Sequence, residues 1–385
     1  MIIKREIQDN IESNLFKQKA VIIYGARQVG KTTLVKNIQD KFKSDSLYLN
    51  CDEPDIKIAL TDKTSTELKS FIGNKKLVII DEAQRIKNIG ITLKLIIDNF
   101  SDIQVIATGS SAFELSDKIN EPLTGRKLEY YLCPFSISEI GSIYSRLEID
   151  RLLEKRIIFG MYPEILLNET DSERNLKEIT RSYLYKDVLQ YKNIKNPEIL
   201  EKLLQALSLQ IGNEVSYNEL SSLVGIDKKT IQSYISILEK AFIIFRLNPF
   251  SRNIRNELKK LRKIYFFDTG IRNALINNLN PLSLRNDSEQ LWENFIISER
   301  IKANSNHFAD KNVYFWRMHN KEEIDYIEEE AGRIFAYEFK LKSRKLLKQT
   351  APKEFGKSYT DSSFKIIDRN NYYEFLSSAK NRFLK

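Results

Sequence analysis

The residues best placed to do chemistry come early, in the run Lys19-Ala-Val-Ile-Ile-Tyr-Gly25-Ala26-Arg27-Gln28-Val29-Gly30-Lys31-Thr32-Thr33-Leu34. Its G-x-x-x-x-G-K-T spacing lets the backbone curl until several N–H groups face one point. A helix starting there adds positive partial charge. The chemistry this serves is phosphate binding. Residues Gly25 to Thr33 are expected to cradle a nucleoside triphosphate, with Lys31 reaching its β- and γ-phosphates and Thr32 setting a hydroxyl on Mg²⁺. A second cluster, Lys76-Leu-Val-Ile-Ile-Asp81-Glu82-Ala-Gln, ends an apolar run in adjacent carboxylates. Asp81 would complete the Mg²⁺ shell, and Glu82 would polarise the attacking water.

A second chemical set lies near the C-terminus. Asp325, in Glu323-Ile-Asp325-Tyr-Ile-Glu, precedes Glu338-Phe-Lys340, and Glu293 lies upstream beside Trp292. Asp325 and Glu338, with Glu293 completing the shell, would hold a divalent metal that generates hydroxide. Lys340 would orient the water or neutralise charge on a phosphodiester. Two carboxylates and a lysine at this spacing are the constellation of the PD-(D/E)xK nucleases. The same residues read nearly as well as an inactive DNA-binding or dimerising surface.

These residues need particular elements beneath them. Val21 to Tyr24 reads as a buried strand and Thr32 to Lys41 as a helix, the strand–loop–helix context that a phosphate loop requires. The Asp81 run reads as a strand. A third strand, Ile103 to Ala107, ends in Thr108-Gly109-Ser110-Ser111, and its polar end meets the γ-phosphate if it lies between the other two. Such an inserted strand marks the additional-strand P-loop ATPases, AAA+ proteins among them. The chain resembles the prokaryotic AAA-type ATPases fused to a C-terminal domain of unknown function. The resemblance rests on Gly25 to Leu34, Ile-Ile-Asp81-Glu82-Ala-Gln, Ala107-Thr-Gly-Ser-Ser, Leu123-Thr-Gly-Arg126, Cys133-Pro-Phe-Ser-Ile-Ser-Glu139 and Tyr162-Pro-Glu164. It continues through Lys263-Ile-Tyr-Phe-Phe-Asp268-Thr-Gly and Trp292-Glu-Asn-Phe, so it spans nearly the whole chain.

By that resemblance Thr108 or Ser110 is the nucleotide sensor, ATP and Mg²⁺ are the cofactors, and the C-terminal domain has a nuclease-like fold. Arg126 becomes an arginine for the γ-phosphate, in its own or a neighbouring subunit. It reads equally as a salt-bridging surface residue. Asn50, at the end of the strand Leu47 to Leu49, would hold Glu82 from water.

Between the two sets the pattern is helical from Pro134 to about Asn196, the expected lid over the nucleotide. Ser216-Tyr-Asn-Glu219 is a capping box, Gly225 ends that helix, and Asp227 caps the next. Ile231, Tyr234, Ile235, Leu238 and Phe242 form an apolar stripe, with Lys228, Lys229, Gln232 and Ser233 facing away. Strands Phe242 to Leu247 and Ile264 to Phe267 flank Arg252, Arg255, Lys259, Lys260, Arg262 and Lys263. That order predicts a winged helix-turn-helix with a basic wing, contacting duplex DNA through phosphates or serving protein packing instead. At the end, Glu289 to Ile301 reads as a helix and Ala331-Gly332 as a hairpin turn. Basic residues Lys342, Arg344, Lys345 and Lys348 follow.

The expected fold is α/β: a parallel P-loop core over 1–133, a helical lid over 134–196, a winged helix over 197–285 and a PD-(D/E)xK-like domain over 286–385. With 385 residues the chain exceeds one ordinary core. Its +9 formal charge favours a polyanionic partner, DNA first. No apolar run suffices to span a bilayer, so no membrane role is expected. Cys51 and Cys133 lack metal-ligand spacing, and neither they nor the charged start ask for export, so the cytoplasm is the expected location. A homo-oligomer is compatible with Arg126 acting between subunits.

Overall fold

The computed structural model describes residues 3–110, 112–183, 196–251, 261–309, 311–318, 322–342 and 350–377. The N-terminal sheet has five strands: β1 (Ala20–Tyr24), β2 (Ser46–Asn50), β3 (Leu77–Asp81), β4 (Gln104–Gly109) and β5 (Lys127–Tyr131). All pair in parallel, in the spatial order β2-β3-β4-β1-β5. The strand carrying Thr108 thus lies between the phosphate-loop strand and the Asp81 strand, as the sequence anticipated. Its neighbours β1 and β3 are buried at every position, because helices cover both faces. Val21, Ile23, Leu77, Ile79 and Ile106 pack on one face. Ile22, Tyr24, Val78, Ile80, Val105 and Ala107 pack on the other. Alternation of side chains along each strand divides them so.

A second sheet has seven strands: β6 (Glu214–Val215), β7 (Ile244–Pro249), β8 (Arg262–Phe266), β9 (Asn312–Arg317), β10 (Glu323–Glu330), β11 (Arg333–Phe339) and β12 (Ser363–Ile367). Their order is β12-β11-β10-β9-β7-β8-β6. Parallel pairing of Asn248 with Tyr314 and Pro249 with Phe315 joins the middle region to the C-terminal strands. The sheet therefore runs across the boundary expected at 285/286. The hairpin between β10 and β11 turns at Ala331 (φ 49°) and Gly332 (φ 78°), two successive left-handed residues suited to a two-residue turn.

Helices Ile137–Ile140, Arg146–Phe159, Pro163–Leu167 and Ser172–Tyr183 occupy the expected lid segment. They pack into both cores rather than forming one of their own, Ile165, Leu176 and Ile179 in one and Ile149, Leu153 and Ile157 in the other. Residues 184–195, part of that segment, lie outside the described residues. The long helix Ser288–Asn306 is buried on several sides at once, between the second sheet and the lid segment. Among the described residues no helix is long and apolar enough to cross a membrane.

Candidate functional site

Strand β1 ends at Tyr24, and the chain loops through Gly25 to Gly30 into the helix Lys31–Gln39. Two glycines are required here. A Cβ on Gly25 would lie 2.2 Å from the Leu132 carbonyl oxygen, and Gly30 has φ 94°. No side chain caps this helix, which leaves its first N–H groups facing the loop. The Lys31 ammonium lies across that loop, donating to the Gly25 and Ala26 carbonyls at 2.8 Å each. Arg27, Gln28 and Val29 form the turn between, Val29 fully buried and Gln28 exposed with φ 60°, and Thr33 is exposed one residue past Thr32.

Thr32 donates its hydroxyl to Asp81 Oδ2 at 2.7 Å. Thr108, wholly buried on β4, donates to the other Asp81 oxygen and accepts the Glu82 backbone N–H at 3.1 Å. Parallel registry accounts for this meeting, because Ile80 pairs with Ala107 and so brings both strand ends together. The hydroxyl of Tyr48 also donates to Asp81, and burial together with that carboxylate pushes the phenol's pKa up. Glu82 leaves the strand in the left-handed region, at φ 55°. A hydroxyl beside an anionic carboxylate, at the mouth of a loop lined with N–H donors and a lysine, fits a nucleoside triphosphate with its Mg²⁺.

Two expected roles change. Asn50 accepts the Asp52 N–H at 3.1 Å and caps the turn after β2. The side chain that grips Glu82 is Gln84, whose amide donates to Glu82 Oε2 at 2.5 Å and to Ser110 Oγ at 3.1 Å. Arg126 lies at the wrong end of the sheet to reach its own chain's phosphate loop. Its carbonyl accepts the Ala20 N–H at the start of β1, whereas the loop follows Tyr24. Five residues at about 3.3 Å each separate the two ends by roughly 16 Å. Arg126 is exposed and pairs with Asp98 at 2.7 Å.

Of the C-terminal set, Glu293, Asp325 and Lys340, but not Glu338, line a cavity of about 320 Å³ together with Glu289, Gln290, Phe339 and Lys342. Asp325 Oδ2 accepts the Phe339 N–H at 2.8 Å across the hairpin, as expected from strand pairing. Burial, then the nearby Glu293 charge, pushes the Asp325 carboxyl up to about 8. The expected metal trio does not share one point. Glu293 accepts from Lys263 Nζ at 3.1 Å and from the Tyr265 hydroxyl. Glu338 pairs with Lys340 at 2.7 Å. Among the described residues no three His, Cys, Asp or Glu side chains are grouped to hold a metal ion. Each glutamate is already neutralised by a lysine, so this donor set does not fit a shared divalent cation.

Lys263 is likewise no part of an exposed wing. Its side chain is 1% exposed and paired with Glu293 and Glu323. Arg252, Arg255, Lys259 and Lys260 fall outside the described residues, as do Arg344, Lys345 and Lys348. Asp268, in the quoted motif Phe-Phe-Asp268-Thr-Gly, caps the helix Thr269–Leu275 and accepts the Met161 N–H at 2.7 Å. The motif thereby anchors the lid segment to the second sheet. Gln84, Tyr48 and Tyr265 carry no assigned role in the sequence, and Lys263 reads there as part of the basic wing. Only Gln84, adjoining the carboxylate pair, carried a local signal.

Residues 17–141 match the model of an AAA domain, and residues 288–375 match a domain of unknown function, DUF4143. A further domain of unknown function, DUF8612, covers residues 150–282. The chain is 29% identical over 344 residues to an uncharacterized protein of Methanocaldococcus jannaschii, covering 83% of this chain and 74% of that one. It is 24% identical to an uncharacterized protein of Mycobacterium tuberculosis, covering 88% and 74%. Among solved structures, a Walker-type ATPase of Pyrococcus abyssi overlays with a TM-score of 0.49 at 17% identity, covering 71% of this chain and 96% of that one. That overlay is too distant to bear on function. With its domain matches and its phosphate-loop geometry together, the chain is an AAA-domain ATPase that carries a DUF4143 domain at its C-terminal end.

Proposed function

We propose that this ATPase is a nucleotide-driven switch that contacts DNA through its middle region, with the C-terminal domain serving contact rather than metal-dependent cleavage. The observation that carries the ATP reading is the Asp81 carboxylate, held by Thr32 and Thr108 at the mouth of the phosphate loop. In this reading the N–H groups of residues 25–33 hold the phosphates. Lys31 leaves the Gly25 and Ala26 carbonyls for the β- and γ-phosphate oxygens. Thr32 and Asp81 hold Mg²⁺, which when bound neutralises phosphate charge and orients the γ-phosphoryl group. Glu82 accepts a proton from water as its oxygen bonds to the γ-phosphorus, and the bond to ADP breaks with its electron pair leaving on the ADP oxygen. Thr108 bonds both the Asp81 carboxylate and the Glu82 N–H, so it relays the state of one to the other. Gln84 positions Glu82 before water is engaged.

Support for DNA contact comes from element order. Helix Pro197–Leu209, β6, helix Tyr217–Val224, helix Lys228–Lys240 and the antiparallel pair β7 and β8 follow in the sequence of a winged helix. Asp227 caps the third helix through the N–H groups of Lys229 and Thr230, and Lys228, Lys229, Gln232 and Ser233 are exposed on it. Exposed lysines at the start of such a helix suit phosphate contacts. The test is anisotropy of a labelled duplex between about 50 and 200 mM salt, with and without ATP. Steep loss of affinity with salt, a shallower slope in Lys228→Glu/Lys229→Glu and a shift on adding ATP are expected. Salt-independent binding would count against DNA as the partner and favour a protein.

A further inference from the structure

The phosphate loop rests on the segment that precedes it. Arg5, just before the helix Ile7–Ser13, is 5% exposed and spreads its guanidinium over three acceptors. Nη1 donates to the Val29 carbonyl in the loop at 2.7 Å, Nη2 to the Cys133 carbonyl at 2.6 Å, and Nε to Glu139 Oε1 at 2.8 Å. The Phe135 ring lies against the same group, its centre 4.5 Å from Cζ. Glu139 is fixed in turn, because it accepts the N–H groups of Glu6 and Ser136 at 3.0 Å each. The first residue of the loop meets the same stretch, Gly25 against the Leu132 carbonyl. Residues 132–139 thus support the loop near both its ends. From them the contacts continue into the helix Ser288–Asn306. Glu299 accepts the Ile137 N–H at 2.6 Å, and Lys302 donates to the Phe135 carbonyl at 3.2 Å. Asn306 donates to Glu6, the neighbour of Arg5, at 3.3 Å.

We propose that Arg5 is a positioning residue for ATP binding, and that Arg5 and Glu6 together tie occupancy of the phosphate loop to the helix Ser288–Asn306. The peptide unit accounts for the first part. A trans peptide points its C=O and N–H in opposite directions, so holding the Val29 carbonyl on Arg5 turns the Gly30 N–H to the other side, to serve as a phosphate donor. A guanidinium suits the place because its planar fork reaches two carbonyls and a carboxylate at once, which an ammonium cannot. Bonds from a charged donor are the stronger kind, and losing one in an enclosed site leaves its acceptor bare. The second part follows from shared contacts. Residues 133–139 touch Arg5 on one side and Glu299 and Lys302 on the other, so a nucleotide that stiffens the loop also stiffens the helix. By linkage, whatever holds the helix alters ATP affinity by the same factor. The proposal rests on the ATP reading of the loop and is independent of DNA contact.

The experiment measures ATP binding to the full chain by calorimetry with Mg²⁺, in a Glu82→Gln parent that prevents turnover. Arg5→Met keeps the hydrocarbon and removes the donors, and it should raise the Kd for ATP at least about ten-fold. Arg5→Lys keeps the charge but not the fork and should weaken binding by about three-fold. With Glu82 restored, Arg5→Met should raise KM for ATP by a factor like that in Kd while kcat falls less than about three-fold. Mere loss of folded protein would lower turnover and leave KM in place. Amide hydrogen exchange over residues 288–306 should slow when the parent binds ATP, and that slowing should vanish in Arg5→Met at saturating ATP. Unchanged ATP affinity in Arg5→Met would overturn the positioning role. Slowing that persists in Arg5→Met, or never appears in the parent, would overturn the tie to the helix. Should Arg5→Met fail to fold, Arg5→Lys carries the same comparisons, and parental affinity there is equally a refutation. A parent that binds no ATP would take the ATP reading down together with the proposal, whereas a parent that binds ATP as Arg5→Met does would refute the proposal alone.

Discussion

At the scale of single residues, close approach and hydrogen-bond direction decide what each position tolerates. Gly25 faces the backbone of Leu132 so closely that a methyl group there must push either the phosphate loop or the start of the following segment. Gly25→Ala is expected to cost about 1–3 kcal/mol of stability and to weaken ATP binding. Thermal melting and nucleotide titration of the same sample would check both, and a variant that binds ATP normally would show that the loop yields easily. Lys31, Thr32, Asp81 and Glu82 were legible in the sequence, because phosphate binding demands those residue types at fixed spacing on a strand, loop and helix. Tyr48 was not, since it reaches Asp81 only after β2 pairs with β3. Lys263 misled for a related reason. A lysine within a basic run reads as surface, and only the fold reveals the carboxylates that enclose it.

At the scale of elements, the helix Ser288–Asn306 carries much of the C-terminal architecture. Arg300, on that helix, donates from Nε and Nη2 to Glu328 on β10 at 2.6 and 2.8 Å, and Asn304 and Lys311 add donors at 2.9 Å each. Glu299 accepts the Ile137 N–H at 2.6 Å, tying the same helix to the lid segment. These charged residues gave the helix weak amphipathic patterning, so the sequence marked its existence but not that it is buried on several sides. Removing one partner from such a buried network leaves the others uncompensated. Glu328→Ala should therefore destabilise the fold by about 3–5 kcal/mol, read as a shift in urea midpoint. Burial disfavours the Glu328 charge, yet Arg300 and Lys311 prevail and hold its pKa down at about 2. A depressed carboxyl stabilises the fold above its ordinary pKa and loses that contribution as pH falls. Between pH 4.5 and 2 the loss amounts to about 3 kcal/mol for this group. Urea unfolding across that range should show a shallower acid dependence in Glu328→Gln, and an unchanged slope would contradict the assignment.

At the scale of the whole molecule, one sheet spans what the sequence divides into a middle and a C-terminal domain, joined at β7 and β9. Periodicity identifies strands but not the partner each will find, so that continuity was not legible beforehand. Arg126 makes the complementary point. Its exposure and its position at the far end of the core sheet leave action on a neighbouring subunit as its route to a γ-phosphate. If subunits assemble head to tail, ATP turnover per chain should rise with protein concentration, and Arg126→Ala should remain low throughout. Equal turnover by Arg126→Ala at all concentrations would leave it a surface ion pair with Asp98. The central claim is tested most directly by steady-state ATP hydrolysis with Mg²⁺, measured alongside ATP affinity for the wild type, Lys31→Ala and Glu82→Gln. The account predicts turnover by the wild type, weakened ATP binding in Lys31→Ala, and at least a hundred-fold lower kcat (roughly 3 kcal/mol) with ATP binding retained in Glu82→Gln. Wild-type turnover that persists in Glu82→Gln would contradict it.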